Sequence, residues 1–180
     1  GPAGLLPVCN TVIFDEAHQL PETASLFFGD NVSTAQVLDL TQDARSEGLA
    51  SARDCLDLPK LCGVVEKAAK DLRLTLPVEP ARFSLAQLEQ RMGFDNAVVG
   101  LIRELNTLCA LLETQAQRSE GLENCWRRAG ELLAQLRRWQ DGAAVDYIRW
   151  GESYTLSLQL NATPLVIASI MQKQLSGHQS

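Results

Sequence analysis

The sequence predicts a mainly α fold: a helical bundle with short strands at its two ends. Three observations predict it. Two Ser-x-x-Gln capping boxes, Ser33–Gln36 and Ser84–Gln87, each announce the start of a helix. Long stretches between residues 60 and 140 repeat their apolar residues at helical spacing. Strand-like patterning is confined to a short apolar run near residue 13 and to alternation after residue 144. With 180 residues, 46% of them hydrophobic, the chain can bury a real core in one or two domains.

The elements follow in order. Val12, Ile13 and Phe14 run straight into Asp15, Glu16, Ala17 and His18, the pattern of a buried strand delivering polar residues at its carboxyl edge. Pro21 suits the first turn of a short helix through Phe28, closed by Gly29-Asp30. The Ser33 box opens a helix carrying Val37, Leu38 and Leu40 that should fade near Gly48. Leu49–Leu58 reads as a second helical stretch interrupted at Pro59, which can equally start the next helix. That next helix has the stripe Leu61, Val64, Val65, Ala68, Ala69 and Leu72. Residues 74–83, with Pro77 and Pro80, read as a linker or extended crossing.

The Ser84 box opens a short helix to Gln90 or Arg91, which Gly93 breaks. Asp95 can cap a long helix from Asn96 to about Gln117 with the stripe Val98, Leu101, Ile102, Leu105, Leu108, Cys109 and Leu112. Ser119 caps another, to about Gln140, with Leu122, Trp126, Ala129, Leu133 and Leu136. So short a connection makes these two an antiparallel hairpin. Alternation on both sides of Gly151-Glu152 then predicts a β-hairpin or two short strands, and Thr163-Pro164 opens a helix of Leu165–Leu175.

Net charge is −6, which argues against a surface that coats nucleic acid generically and leaves room only for a local patch. The candidate patch is Trp126-Arg127-Arg128 with Arg137-Arg138-Trp139, joined by Arg149-Trp150: arginine holds phosphate and tryptophan stacks bases. Arg127 and Arg138 are eleven residues apart, three helical turns, and share a face. The competing reading makes the tryptophans core, Trp126 above all because it fits the apolar stripe, and the arginines a solvated face paired with Glu123 and Glu131. Five scattered cysteines, without a Cys-x-x-Cys pair, fit a reducing cytoplasm. No apolar stretch has membrane-spanning length, no leader opens the chain, and Gly1-Pro2 looks like a protease-cleavage scar.

The adjacent carboxylates at the first strand's end suit a magnesium–nucleotide site, with Asp15 for the metal and Glu16 for the attacking water. Asp15-Glu16-Ala17-His18 resembles the second nucleotide-hydrolysis motif of superfamily 2 helicases. Together with the helical insertion, the returning strands and the Thr-Pro-started helix, it resembles the bacterial DinG-type helicases of the XPD family. The likeness is strongest over residues 5–24 and 154–177.

The resemblance implies three parts. Residues 1–24 and 144–180 are pieces of a truncated α/β motor domain, and 25–143 are the helical arch domain inserted between them. It implies a parent that uses ATP and magnesium to move 5′ to 3′ on single-stranded DNA in repair or replication. Asp15 would bind magnesium, Glu16 would activate water, and His18 would couple the nucleotide site to neighbouring motifs. It implies a 4Fe–4S cluster in the parent, with no ligands in this chain. The chain has no Gly-x-x-x-x-Gly-Lys-Ser/Thr loop, so alone it should be catalytically dead. The alternative is a helical interaction module docking a repair or replication protein through an acidic arch.

Overall fold

The computed structural model describes residues 30–142 and 147–165. The strand expected to end at Asp15 and Glu16, the helix expected after Pro21 and all but the first residue of the helix expected over Leu165–Leu175 lie outside them.

Among the described residues, four helices form the body: α1 (Thr34–Ser51), α2 (Asp57–Leu74), α4 (Phe94–Gln115) and α5 (Glu120–Asp141), with a six-residue α3 (Leu85–Gln90) between α2 and α4. They pack in a ring, α1 on α2, α2 on α4, α4 on α5, and α5 back on α1. Most of the predicted stripes turn inward, with Leu72, Leu101, Leu105, Leu108, Leu112, Leu122 and Leu136 fully buried, but Val64 of the α2 stripe is 42% exposed, and Leu61, Ala68, Cys109 and Trp126 are only half-buried at the stripe edges. Burying such a side chain contributes about 1.5–3 kcal/mol each, so these stripes hold the bundle.

Both capping boxes form. Ser33 Oγ accepts from the Gln36 amide while Gln36 Oε1 accepts from the Ser33 amide, and Ser84 and Gln87 repeat the exchange. Ser119 Oγ accepts from the Leu122 amide at the start of α5, as expected.

Four boundaries differ from the sequence reading. Helix α1 does not fade at Gly48 but runs to Ser51, because Gly48 is a contact point: a Cβ there would lie 2.7 Å from Leu58 Cδ2 of α2. No helix spans residues 52–56, and Pro59 sits in the first turn of α2, where its missing N–H costs nothing. Asp95 does not cap α4. Gly93 does, with φ +83°, and Asp95 lies in the first turn, favourable beside the helix dipole. The fourth is the β-hairpin, whose turn is not at Gly151-Glu152.

Strands β3 (Tyr147–Ser153) and β4 (Leu158–Pro164) are antiparallel, and the Tyr154 amide closes their turn on the Ser157 carbonyl at 2.8 Å. Gly151 is mid-strand because α3 crosses there; a Cβ would meet Leu88 Cδ1 at 3.1 Å. Thr163 and Pro164 end β4. Two four-residue strands, β1 (Asp30–Ser33) and β2 (Ala81–Ser84), complete an antiparallel sheet ordered β1-β4-β3-β2. In its register Asp30 pairs with Ala162 and Ala81 with Ser153. Val32, Leu158, Leu160 and Ala162 turn inward and join the helical core. The mainly α architecture with short flanking strands is thus observed.

Candidate nucleic-acid interface

Four of the candidate arginines, Arg127, Arg128, Arg137 and Arg138, stand on α5, and Arg149 stands on β3. At 100° per residue Arg127 and Arg138 share one face, while Arg128 and Arg137 fall to either side of it. Arg128 turns to α1, its Nη1 2.7 Å from Asp43 Oδ2. Arg138 Nε lies 3.3 Å from Asp30 Oδ2 at the start of β1. Arg137 Nη2 donates to Asn106 Oδ1 of α4 at 3.3 Å, and Arg127 donates to Asn124 on its own helix. These partners are not the Glu123 and Glu131 expected from spacing, because neighbouring elements present carboxylates and amides closer to hand.

Arg128 and Arg138 flank a groove of about 640 Å³ between α1 and α5, whose walls also carry Asp39, Glu131 and Gln135. The groove is mixed in charge. So is the helix, whose four arginines are balanced in charge by Glu120, Glu123, Glu131 and Asp141. Arg127, Arg137 and Arg138 remain exposed. Exposed ion pairs of this kind are worth roughly 0–1 kcal/mol, so a phosphate can displace them.

Trp139 leaves the patch. It is only 5% exposed, its Nε1 donates to the Asn161 carbonyl at 2.8 Å, and its ring meets Phe94 edge-on at 6.2 Å. A ring so enclosed has no face for a base; its place three residues after Leu136 continues the core stripe. Trp126 is half-buried against the core, as the competing reading held. Trp150 is half-buried, with Nε1 donating to Thr163 Oγ1 at 2.9 Å and the Arg82 guanidinium 5.6 Å over its ring.

Two arginines that sequence reasoning missed or misassigned act on the fold. Arg149 donates to the carbonyls of Trp139 and Gln140 at 2.8 and 3.2 Å, closing the end of α5 where a cation is favoured. Arg73 is 6% exposed and donates to four backbone carbonyls: Tyr154 at 2.7 Å, Pro77 and Val78 at 3.0 Å, and Leu76 at 3.4 Å. Three of those carbonyls lie only three to five residues along the chain, but Tyr154 is 81 residues away and only the folded chain brings it in.

Elsewhere, Arg118 grips both Asp54 carboxylate oxygens and holds that carboxyl down at about 2. Burial pushes the Cys62 thiol up to about 11, and raises Cys109 and Cys125 as well. These thiols are protonated and poor nucleophiles at neutral pH. Among the described residues no group of three or more His, Cys, Asp or Glu side chains could hold a metal ion, and no helix is long and apolar enough to cross a membrane. Asp15, Glu16 and His18 lie outside the described residues.

Comparison with known proteins adds what this geometry lacks. The chain is 28% identical over 177 residues, 98% of its length, to the ATP-dependent DNA helicase YoaA of Haemophilus influenzae. It is 30% identical over 164 residues, 91% of its length, to the protein of the same name from Escherichia coli. The likeness to DinG-type helicases is borne out. It takes in the helical bundle as well as the acidic stretch, since so long a match leaves neither out. The chain spans about a quarter of these curated relatives, 28% of one and 26% of the other. No family model matches it.

Proposed function

We propose that this chain is the arch-bearing portion of a longer ATP-dependent DNA helicase. The observation that carries the reading is the match along nearly the whole chain to two proteins named DNA helicases. In it, residues 1–24 belong to the first motor domain. Asp15 holds magnesium, Glu16 activates the attacking water, and His18 links the nucleotide site to its neighbours. The segment from residue 25 onward, which holds the helical bundle, is the arch. Because β3 and β4 pair with β1 and β2, this reading carries the arch through Pro164 and returns to the motor domain beyond it.

The parent moves 5′ to 3′ on single-stranded DNA and carries its 4Fe–4S cluster on residues outside this chain. The exposed Arg127, Arg137 and Arg138, with Arg128 at the groove, guide the strand by its phosphates. Alone, the chain turns over no nucleotide, since it has no phosphate-binding loop.

A second reading, a docking module for a repair or replication protein, draws support from the arginine pairing on α5 and the net charge of −6. Single-stranded-DNA-stimulated ATP hydrolysis by the full-length protein tests the first. Glu16→Gln should abolish turnover while nucleotide still binds. A full-length protein with the acidic motif intact and no DNA-stimulated hydrolysis refutes the reading. Titrating labelled single-stranded DNA against this chain separates the two roles of the arch. Salt-sensitive binding that Arg137→Glu/Arg138→Glu removes supports strand guidance; no binding at low salt favours docking.

A further inference from the structure

Of the four arginines on α5, two are held by carboxylates that other elements bring to them. Arg128 Nη1 lies 2.7 Å from Asp43 Oδ2 of α1, and Arg138 Nε lies 3.3 Å from Asp30 Oδ2 of β1. Arg127 and Arg137 meet only neutral amide oxygens, those of Asn124 and Asn106. The division follows the groove between α1 and α5, which Arg128 and Arg138 line and the other two do not. The two ion pairs stand ten residues apart along α5, about 15 Å at the helical rise.

A carboxylate and a phosphate compete for the same guanidinium, because each offers it an anionic oxygen as acceptor. A carboxylate already in place must leave before a phosphate oxygen can take its position, so the pairing subtracts from the affinity for a strand. The side chains of the two pairs are between 32% and 57% exposed, which lets a phosphate reach the arginines without any helix opening. Neither aspartate makes another ion pair among the described residues, and each stands on an element other than α5. Asp39 supplies the contrast. It lies one turn before Asp43 on α1 and lines the same groove, with no ion pair among the described residues.

We propose that Asp30 and Asp43 are built-in competitors of single-stranded DNA: each occupies one groove arginine until a phosphate of the strand replaces it. The proposal rests on the reading in which the arginines of α5 guide the strand, and it names the two residues that limit how tightly they hold it.

Titration of labelled oligothymidine against this chain at several salt concentrations tests it. Exposed pairs of this kind shift an equilibrium by a few fold at most, so Asp43→Asn and Asp30→Asn should each tighten binding about two- to fivefold. Asp39→Asn makes the same change in net charge and should tighten it less than about twofold. With Arg128→Gln in place, the gain from Asp43→Asn should fall to that of Asp39→Asn, and Arg138→Gln should do the same to Asp30→Asn. The fall of log affinity with log salt should steepen in both aspartate variants, because salt then weakens the strand without also weakening its competitor.

Exposed pairs contribute little to folding, and the aspartates are replaced singly, so either variant decides for its own pair. Gains no larger than that of Asp39→Asn overturn the proposal, and so do gains that persist without the arginine, since both mark a general change of field. Binding by the unaltered chain that neither aspartate variant tightens leaves strand guidance standing and removes the competitors alone. No binding by the unaltered chain or by either variant removes both readings.

Discussion

Replacing Arg73 tests how the sheet is fastened to the bundle. Its guanidinium makes three good hydrogen bonds, 2.7, 3.0 and 3.0 Å, and a longer one of 3.4 Å, all to carbonyls of two loops far apart in sequence. Hydrogen bonds from a charged donor contribute about 1.5–3 kcal/mol each when removed singly, but a shared donor makes them non-additive. In Arg73→Met the part-buried carbonyls recover some water, and the cost of desolvating a cation that is 6% exposed disappears. The net loss should be about 2–4 kcal/mol. For a chain of this size that lowers Tm by about 4–16 °C.

Arg73→Lys should recover little, because a single ammonium cannot fork to both loops. Urea unfolding followed by circular dichroism gives the free energies. Hydrogen exchange over residues 75–80 and 154–157 should rise before global unfolding. A loss of under about 0.5 kcal/mol for Arg73→Met, with unchanged exchange in those loops, would refute the account.

Other outcomes follow from the same structure. Trp139→Ala should cost about 3–5 kcal/mol in urea unfolding, and tolerance of it would contradict the core placement. Gly48→Ala should destabilise by about 1 kcal/mol despite the better helix former, because overpacking against Leu58 outweighs the propensity gain; Leu58→Ala should relieve it in a double-mutant cycle. Asp54 and Glu66 have carboxyls held below their ordinary values by Arg118 and Arg45. Their contribution is present above about pH 4 and is lost as pH falls toward 2, so Asp54→Asn/Glu66→Gln should flatten the acid limb of a stability–pH profile. At pH 7 a thiol reagent should reach Cys62 and Cys125 only after unfolding, which mass mapping of the labelled cysteines checks.

What sequence made legible was local. A capping box needs three intervening bonds and a stripe needs one helix, so Ser33, Ser84, Ser119 and the buried leucines of α4 and α5 were readable in short windows. The sheet was not. β1 and β2 are four residues each and owe their existence to partners about 130 and 70 residues away, too far for any periodicity to register. The hairpin was seen, but its turn was misplaced, because Gly151 resembles a turn residue while serving as clearance for Leu88. At the candidate interface the arginines were found from type and spacing, whereas their partners on α1, α4 and β1 come from the fold. For Trp139 the competing reading of the tryptophans as core is the one the structure bears out, and counting three onward from Leu136 lands on it.

The pairing of Asp30 with Ala162 has one more consequence. Strand neighbours sit about 5 Å apart, the span a two-residue turn bridges. The whole body can therefore be cut out and the gap sealed by an Asn-Gly link without stretching whatever lies on either side. If, as proposed, the body is an insertion in a longer helicase, so narrow a doorway lets the host swap, enlarge or lose it as a cassette.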